Sequence, residues 1–441
     1  VKHTYFAAIT LALLIHCGCK QQTANTDPVA TATADTTRGE NEPFVFEPQA
    51  YEASAEQLLA ARLEPAEAAE GWVRLFDGHT LFGWEMAGQV NWHVEDQSLV
   101  ADKGEQGLIC TSTTWQDFEV TAEFNATETT NSGIFVRTPL EPMDPKIDCY
   151  EINIAPDSNA FPTGSLVGRQ KVDAEKAGKQ TPGQWRRMTI RAQGNEITVM
   201  LGTEIVCQYT DTVPVPARRI GLQHNSGRIA FRDIRIRPLG LKSTLDPELS
   251  QWTKYPEMPG SFSVNEDGEL HVQGGRTQLE TKERYGDFVL LADYKMPDPK
   301  INSGIFFRCI PGDEMMGYEC QVSNEIKDGN PLTPVDHGTG GIFKRQTARV
   351  VAGNPDDWST VLLMANGDHI AAWVGGVHVS DWQDTREPHE NPRKGKRTEP
   401  GTIMIQGHDP TTDVLFRQIM IAPITVPTLD ATDDSTNDES K

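Results

Sequence analysis

The chain is poor in positive charge. Against 63 Asp and Glu it sets only 40 Lys and Arg over 441 residues, a net charge of −23. A nucleic-acid binder needs a basic face for phosphates, so that partner is excluded. Long apolar runs are missing too. The run from Tyr5 to Ile15 falls well short of the roughly 20 residues of a spanning helix. Paired cysteines are absent as well: of seven, Cys17 and Cys19 lie near the start, leaving Cys110, Cys149, Cys207, Cys309 and Cys320 without metal-ligand spacing. No zinc site is expected. Cys309 and Cys320 leave two alternatives open, a bridge or two buried thiols. His337, His369, His378 and His408, with Asp336, are scattered without ligand spacing, so no metal site is assigned, although a divalent cation is not excluded. Finally, no long segment repeats every 3.6 residues, which excludes a helical domain.

What is present begins with "VKHTYFAAITLALLIHCGCK": a basic Lys2, a short apolar run, then Gly18-Cys19. This is the pattern of an export signal whose end is similar to a bacterial lipobox, with Cys19 as the lipid acceptor. His16 and a competing Cys17 depart from that pattern, and a plain secretory signal is the alternative. The expectation is an exported lipoprotein, periplasmic or on the cell surface, touching the membrane only through its anchor. Residues 20–70, rich in Ala, Thr, Glu and Gln, are expected to form a flexible tether with a short helix around Ala53 to Leu63. The tail, 426–441, is polar, acidic and expected to be disordered. Between them, "FEVTAEF", "EITVMLG", "RIAFRDIRIRP" and "DFVLLADY" read as period-two strands.

These strands recur in order. "NSGIFVR" (131–137) returns as "NSGIFFR" (302–308), "CYEINIAP" as "GYECQVSN", and "TGSLVGRQ" as "TGGIFKRQ". The period is too long for a solenoid unit, so it marks two tandem domains, 71–240 and 241–425. Their size and strand content predict an all-β fold of two jelly-roll β-sandwiches joined near Gly240 to Asp246.

Strand alternation sorts the repeated side chains. In "GIFVR", Phe135 and Arg137 share one face; in "YEINI", Glu151 and Asn153 oppose Tyr150, Ile152 and Ile154. In the second copy Glu319, Gln321 and Ser323 oppose Tyr318, Cys320 and Val322. The pattern predicts a polar, concave sheet face where a nearby arginine holds the glutamate ionised. A solvated surface pair is the plainer reading, but its repetition within one chain favours a site. Trp185, Trp358 and Trp373 read as core or sheet-edge aromatics rather than sugar platforms.

"GWVRLFDGHTLFGWE", "NSGIF.R", "YE.N", "TG.L", "GQW....I" and "IGLQ....G.I.FR.I.I" together resemble the 3-keto-disaccharide hydrolase domain, also described as a 3-keto-glucoside 1,2-lyase/2-hydroxyglucal hydratase. Each copy resembles it over nearly its full length. The resemblance implies a concanavalin A-like jelly roll and extracytoplasmic action on an oligosaccharide or oxidised glycoside. A ketone at C3 acidifies the C2 proton, so a carboxylate removes it, the C1 group leaves and water adds back. That chemistry needs a base, a cation for the enolate and an acid. The roles implied are Glu319 as base, Arg308 as enolate stabiliser and His408 as acid, with Glu151, Arg137 and Gln223 as counterparts. Gln406, Gln321, Asn302, Gln223, Asn153 and Asn131 are expected to orient substrate. The family's L-Q-x-H-G is matched by "IQGHD" in copy two, whereas "LQHNS" puts Asn225 at the histidine position and His224 one place early. Such a shift turns a side chain to the other face. Copy two therefore reads as the chemical copy, although it lacks "LFDG…GW", and copy one as binding or support. "EINIA" and "ECQVS" keep only the first carboxylate of a jelly-roll glucanase strand, which disfavours ordinary glucan hydrolysis. The alternative is a lectin-like, non-catalytic protein.

Overall fold

A computed structural model describes residues 51–355 and 357–424. The expected signal with Cys19, the first part of the tether and the 426–441 tail lie outside the described residues. Among the described residues no helix is long and apolar enough to cross a membrane.

Each copy is a sandwich of two antiparallel sheets. In copy one the large sheet runs Glu204–Thr210, Glu196–Leu201, Arg186–Gln193, Phe118–Ala126, Ile229–Pro238, Ser98–Ala101 and His93–Glu95, with Val73–Arg74 also paired to Ile229–Pro238. The small sheet runs Trp84–Ala87, Gly107–Thr111, Arg219–Ser226, Asn131–Thr138 and Tyr150–Ile154. Copy two repeats this order; its small sheet runs Trp252–Lys254, Thr277–Thr281, Thr402–Gly407, Ser303–Cys309 and Tyr318–Val322. Each sheet combines pairings of strands consecutive in sequence with pairings between strands far apart in the chain, as expected for the jelly-roll topology. Alternation builds the core: Phe118, Val120, Ala122 and Phe124 point inward, while Glu119, Thr121 and Glu123 point out.

Copy two departs from that alternation. Phe288–Lys295 is buried along nearly its whole length. Phe288, Leu290 and Ala292 belong to its own core, whereas Val289 and Leu291 join the core cluster of copy one. "FVLLADY" is thus a strand buried on both faces, not a period-two strand. Leu362, Met364, Ala371 and Trp373 complete this second face. Trp373 packs 5.7 Å from Trp115 and donates to the Arg74 carbonyl at 3.2 Å. Beside it, Arg349 pairs with Asp77 at 2.9 Å and covers the Phe82 ring. Buried His378 lies between Trp373 and Phe82; burial lowers its pKa to about 4, so it is neutral.

Residues 51–70 are not a tether. A helix, Ala55–Ala60, starts at Ser54 with a full capping box, in keeping with the expected helix. Leu58 and Ala61 sink into the core of copy two, and from a second helix, Pro65–Ala69, Glu67 pairs with Arg235 of copy one at 3.0 Å. The leucines of this alanine-rich stretch supply enough apolar surface to fix it.

The motif that copy two lacks in letters survives in architecture. In copy one Asp77 accepts from the His79 and Thr80 amides, and Trp84 Nε1 donates to the Leu75 carbonyl at 2.7 Å. In copy two Asp246 accepts from the Glu248 and Ser250 amides, and Trp252 Nε1 donates to the Thr244 carbonyl at 2.7 Å.

Candidate functional site

The outer face of each small sheet holds a cavity over an apolar floor. In copy two the floor is Phe306, Cys309, Met315 and Met404. Above it Glu319, Gln406, His408, Asn302, Asp336, Arg393, Lys394 and Phe343 line about 480 Å³. Glu319 stands on Tyr318–Val322 opposite Phe306. Neighbouring Gly304 makes room for it: a Cβ there would lie 3.0 Å from Glu319 Oε1 and 3.2 Å from Gln406 Oε1. Glu319 is only 6% exposed. Burial raises its pKa to about 7, against the pull of Arg393 and Lys344 and with help from the Asp336 charge.

Arg393 is the cation of this site, and sequence reasoning missed it. Its Nη2 lies 3.5 Å from Glu319 Oε2 and donates to the Met315 carbonyl at 3.1 Å, with the guanidinium over Phe306 and Phe343. It sits on a connection between Val377–Gln383 and Thr402–Gly407 that is far longer than its counterpart between Glu204–Thr210 and Arg219–Ser226. The long connection is stapled. Arg386 bonds Asp384 and the Pro392 and Gly395 carbonyls, Arg345 donates to the Arg393 carbonyl, and Lys396 pairs with Asp368 at 3.1 Å. The available signal was "RKGKR" (393–397), a basic run in an acidic chain with no repeat in copy one.

His408 follows Thr402–Gly407 into the same cavity, its Nδ1 2.9 Å from Asp409 Oδ2. Gln406 Nε2 contacts Met315 Sδ, while its buried Oε1 has no partner. Gln321 donates to Asn302 at 2.8 Å, and Asn302 to Asp336 at 2.6 Å. The structure therefore brings Glu319, His408, Gln406 and Asn302 to one cavity, with Gln321 bonded behind Asn302.

It does not bring Arg308 or Arg137 there. Both are left-handed residues (φ 48° and 52°) at bulges that break the alternation. The buried Arg308 guanidinium bonds the Gly286, Gly367 and Arg397 carbonyls and pairs with Asp287 at 2.9 Å. Arg137 does the same with the Gln116, Gly194 and Val215 carbonyls and Asp117. These arginines staple loops, so they neither stabilise an enolate nor hold the glutamates ionised. Two more pairs of repeated side chains are structural as well. Ser132 and Ser303 Oγ donate to the Gln223 and Gln406 carbonyls, and Tyr150 and Tyr318 hydroxyls to Asp211 and Asp384.

Copy one is built differently above the same frame. Burial raises Glu151 to about 7, and its single opposing influence is a hydrogen bond from Gln223. Its cavity, about 450 Å³, is lined by Leu108, Phe135, Leu140, Pro142, Met143, Pro145, Gln106, Glu141 and Gln223, without a basic side chain. The displaced His224 is buried beside the Glu105 carbonyl, not among the lining residues. Asn153 bonds the Phe161 carbonyl, and Asn131 lines neither cavity. Neither residue lines an open site.

All five described cysteines are free. Cys309 belongs to the apolar floor and Cys320 to the sandwich core, on opposite faces of the sheet, which settles the question of a bridge between them. Among the described residues no group of three or more His, Cys, Asp or Glu is placed to hold a metal ion. His337 and His369 have partners of their own in Thr347 and Asp381. Chemically, the copy-two cavity offers a carboxyl group that titrates near neutrality, a guanidinium against it and an imidazole on the same wall.

The profile of the 3-keto-alpha-glucoside-1,2-lyase-like domain matches residues 71–237 and again 241–422. Among curated proteins there is no match. Solved structures align with one copy's length of chain. Two from Parabacteroides distasonis, each named a "putative glycosyl hydrolase", are 21% and 19% identical over 42% and 40% of this chain and 99% and 98% of theirs, both with TM-score 0.34. The carbohydrate-binding module CBM66 from Bacillus subtilis is 15% identical over 35% of this chain and 95% of its own, with TM-score 0.28.

Proposed function

Because the chain belongs to the 3-keto-alpha-glucoside-1,2-lyase-like domain family, in two copies, we propose that copy two cleaves 3-keto-glycosides by elimination and hydration. The carrying observation is the meeting of Glu319, Arg393 and His408 in one cavity. Glu319 takes the C2 proton that the C3 ketone acidifies. Arg393, in the role first given to Arg308, faces the enolate oxygen. As the C1–O bond breaks, His408 protonates the departing oxygen, leaving a C1=C2 double bond conjugated to the ketone. His408, now deprotonated, takes a proton from water as its hydroxide adds to C1, while Glu319 returns a proton to C2, giving net hydrolysis. Gln406 and Asn302 supply hydrogen bonds that fix the ring. A pKa near 7 suits Glu319 to this double duty.

The test is turnover of a 3-keto-disaccharide in deuterated water. Released sugar carrying deuterium at C2 is expected. Release without label and without ultraviolet absorbance from the conjugated enone would point to direct displacement at C1 and overturn the elimination route. The N-terminal pattern further supports export and anchoring through Cys19. Detergent extraction of a lipidated chain from membranes is the expected result; a wholly soluble, unlipidated chain would contradict it.

A further inference from the structure

We propose that copy one is a second, non-catalytic sugar site that takes an uncharged pyranose, an inference that rests on the reading of copy two as the chemical copy. Its cavity has no basic side chain and no histidine along the lining, and Glu151, on the strand equivalent to that of Glu319, is hydrogen-bonded to the lining residue Gln223 without itself lining the cavity. An enolate formed there would have no cation to stabilise it, so the proton-abstraction route is closed. Binding is not closed. Gln223 is 3% exposed and lines the cavity, yet its Oε1 accepts from nothing. A buried acceptor without a donor is costly, and a ligand hydroxyl relieves that cost.

The remaining walls fit the same ligand. Leu108, Phe135, Leu140 and Pro142 offer apolar surface for the C–H face of a sugar ring. Glu141 at the mouth, with no basic residue beside it, disfavours an anionic sugar. The neutral, unoxidised end of a glycan chain meets these conditions. Copy one would then hold a polymer or disaccharide near the copy that cleaves it.

The test uses the full chain carrying Glu319→Gln, with trehalose and maltose as probes. Added sugar is expected to slow backbone hydrogen exchange over residues 106–108 and 140–145. Adding Gln223→Leu is expected to weaken that protection about tenfold in sugar concentration, the worth of one ligand hydrogen bond. If Gln223→Leu does not fold, glucuronic acid on the parent chain serves instead: it is expected to give no protection. Exchange unchanged by either probe, or equal protection by the uronate, overturns the proposal. The two readings fail separately. Turnover surviving Glu319→Gln would sink the assignment of chemistry to copy two, whereas absent protection with turnover abolished would sink only this one.

Discussion

On the outer face of its large sheet copy one carries Glu119, Glu123, Arg187, Arg191, Arg232 and Arg237, ion-paired across strands at 2.9–3.4 Å. Copy two carries Val289, Leu291, Leu362, Met364, Ala371 and Trp373 on the equivalent face, all buried against copy one. Two domains with one strand order, joined head to tail, present the same problem as any heterologous contact: the next copy could add indefinitely. The charged face of copy one offers no such apolar surface, and its partly exposed ion pairs each stabilise little. The small sheets diverge in parallel. Copy two has a long stapled connection that delivers Arg393 to its glutamate, and copy one has a cation-free cavity. The shared letters hold the frame, and the differences decide what each frame does.

Exchanging the glutamates should break this comparison most sharply. Glu319→Gln keeps shape but removes the proton acceptor, so turnover of a 3-keto-disaccharide should fall by about 10²–10⁴. Glu151→Gln should leave turnover within a few-fold of the starting protein. The reverse ranking in a steady-state assay would move the chemistry to copy one.

The arginines should behave in the opposite way, with equal effects in both copies. Removing Arg308 or Arg137 leaves several carbonyls and a carboxylate without their donor, at a cost of about 3–5 kcal/mol. Denaturant unfolding of Arg308→Ala and Arg137→Ala should report losses of that size, with kcat per folded molecule unchanged. A selective loss of kcat in Arg308→Ala would restore it as the enolate stabiliser.

Much of this frame was legible in the sequence, because duplication makes a pattern visible twice. The tandem sandwiches and the glutamate strand follow from alternation and repeat spacing, and the displaced His224 from the resemblance to the family's motif. Arg308 misled because alternation assumes an unbroken ladder, and a left-handed bulge residue violates it. Arg393 was hidden for another reason: it reaches Glu319 across 74 residues, from a connection whose counterpart in copy one is too short to compare. The buried outer face was written in the continuous run of "FVLLADY", against the strict alternation of "FEVTAEF", but its meaning needs the partner surface.

That partner surface gives the next contrast. Trp373 is wholly buried between the copies, while Trp185 lies under the Arg232 guanidinium at 4.0 Å on the charged face. Trp373→Ala should cost about 3–5 kcal/mol, the usual range for a buried aromatic. Trp185→Ala should cost about 1 kcal/mol or less, as for an exposed cation–π pair. Thermal unfolding compares them directly; equal losses would mean that the copies are not held together through the apolar face.

The remaining effect should be a gain, and it depends on pH. Both glutamates have folded pKa values near 7 against an ordinary value of 4.5, chiefly because burial disfavours the charged form. A raised carboxyl pKa means that the folded state binds the proton more tightly than the unfolded chain. Its contribution to stability is therefore complete below about pH 4.5 and is lost as pH rises through about 7. A glutamine at either position escapes that loss. Glu151→Gln should thus be more stable than the parent at pH 8, by up to about 3 kcal/mol, and indistinguishable from it near pH 4.5. Glu319→Gln should gain less, because Arg393 loses the carboxylate at 3.5 Å that partly balances its own burial. Urea unfolding of the three proteins across this window checks both the sign and the order. A larger gain at Glu319 than at Glu151 would mean that Arg393 does not bear on its carboxylate, and would remove the electrostatic difference between the copies.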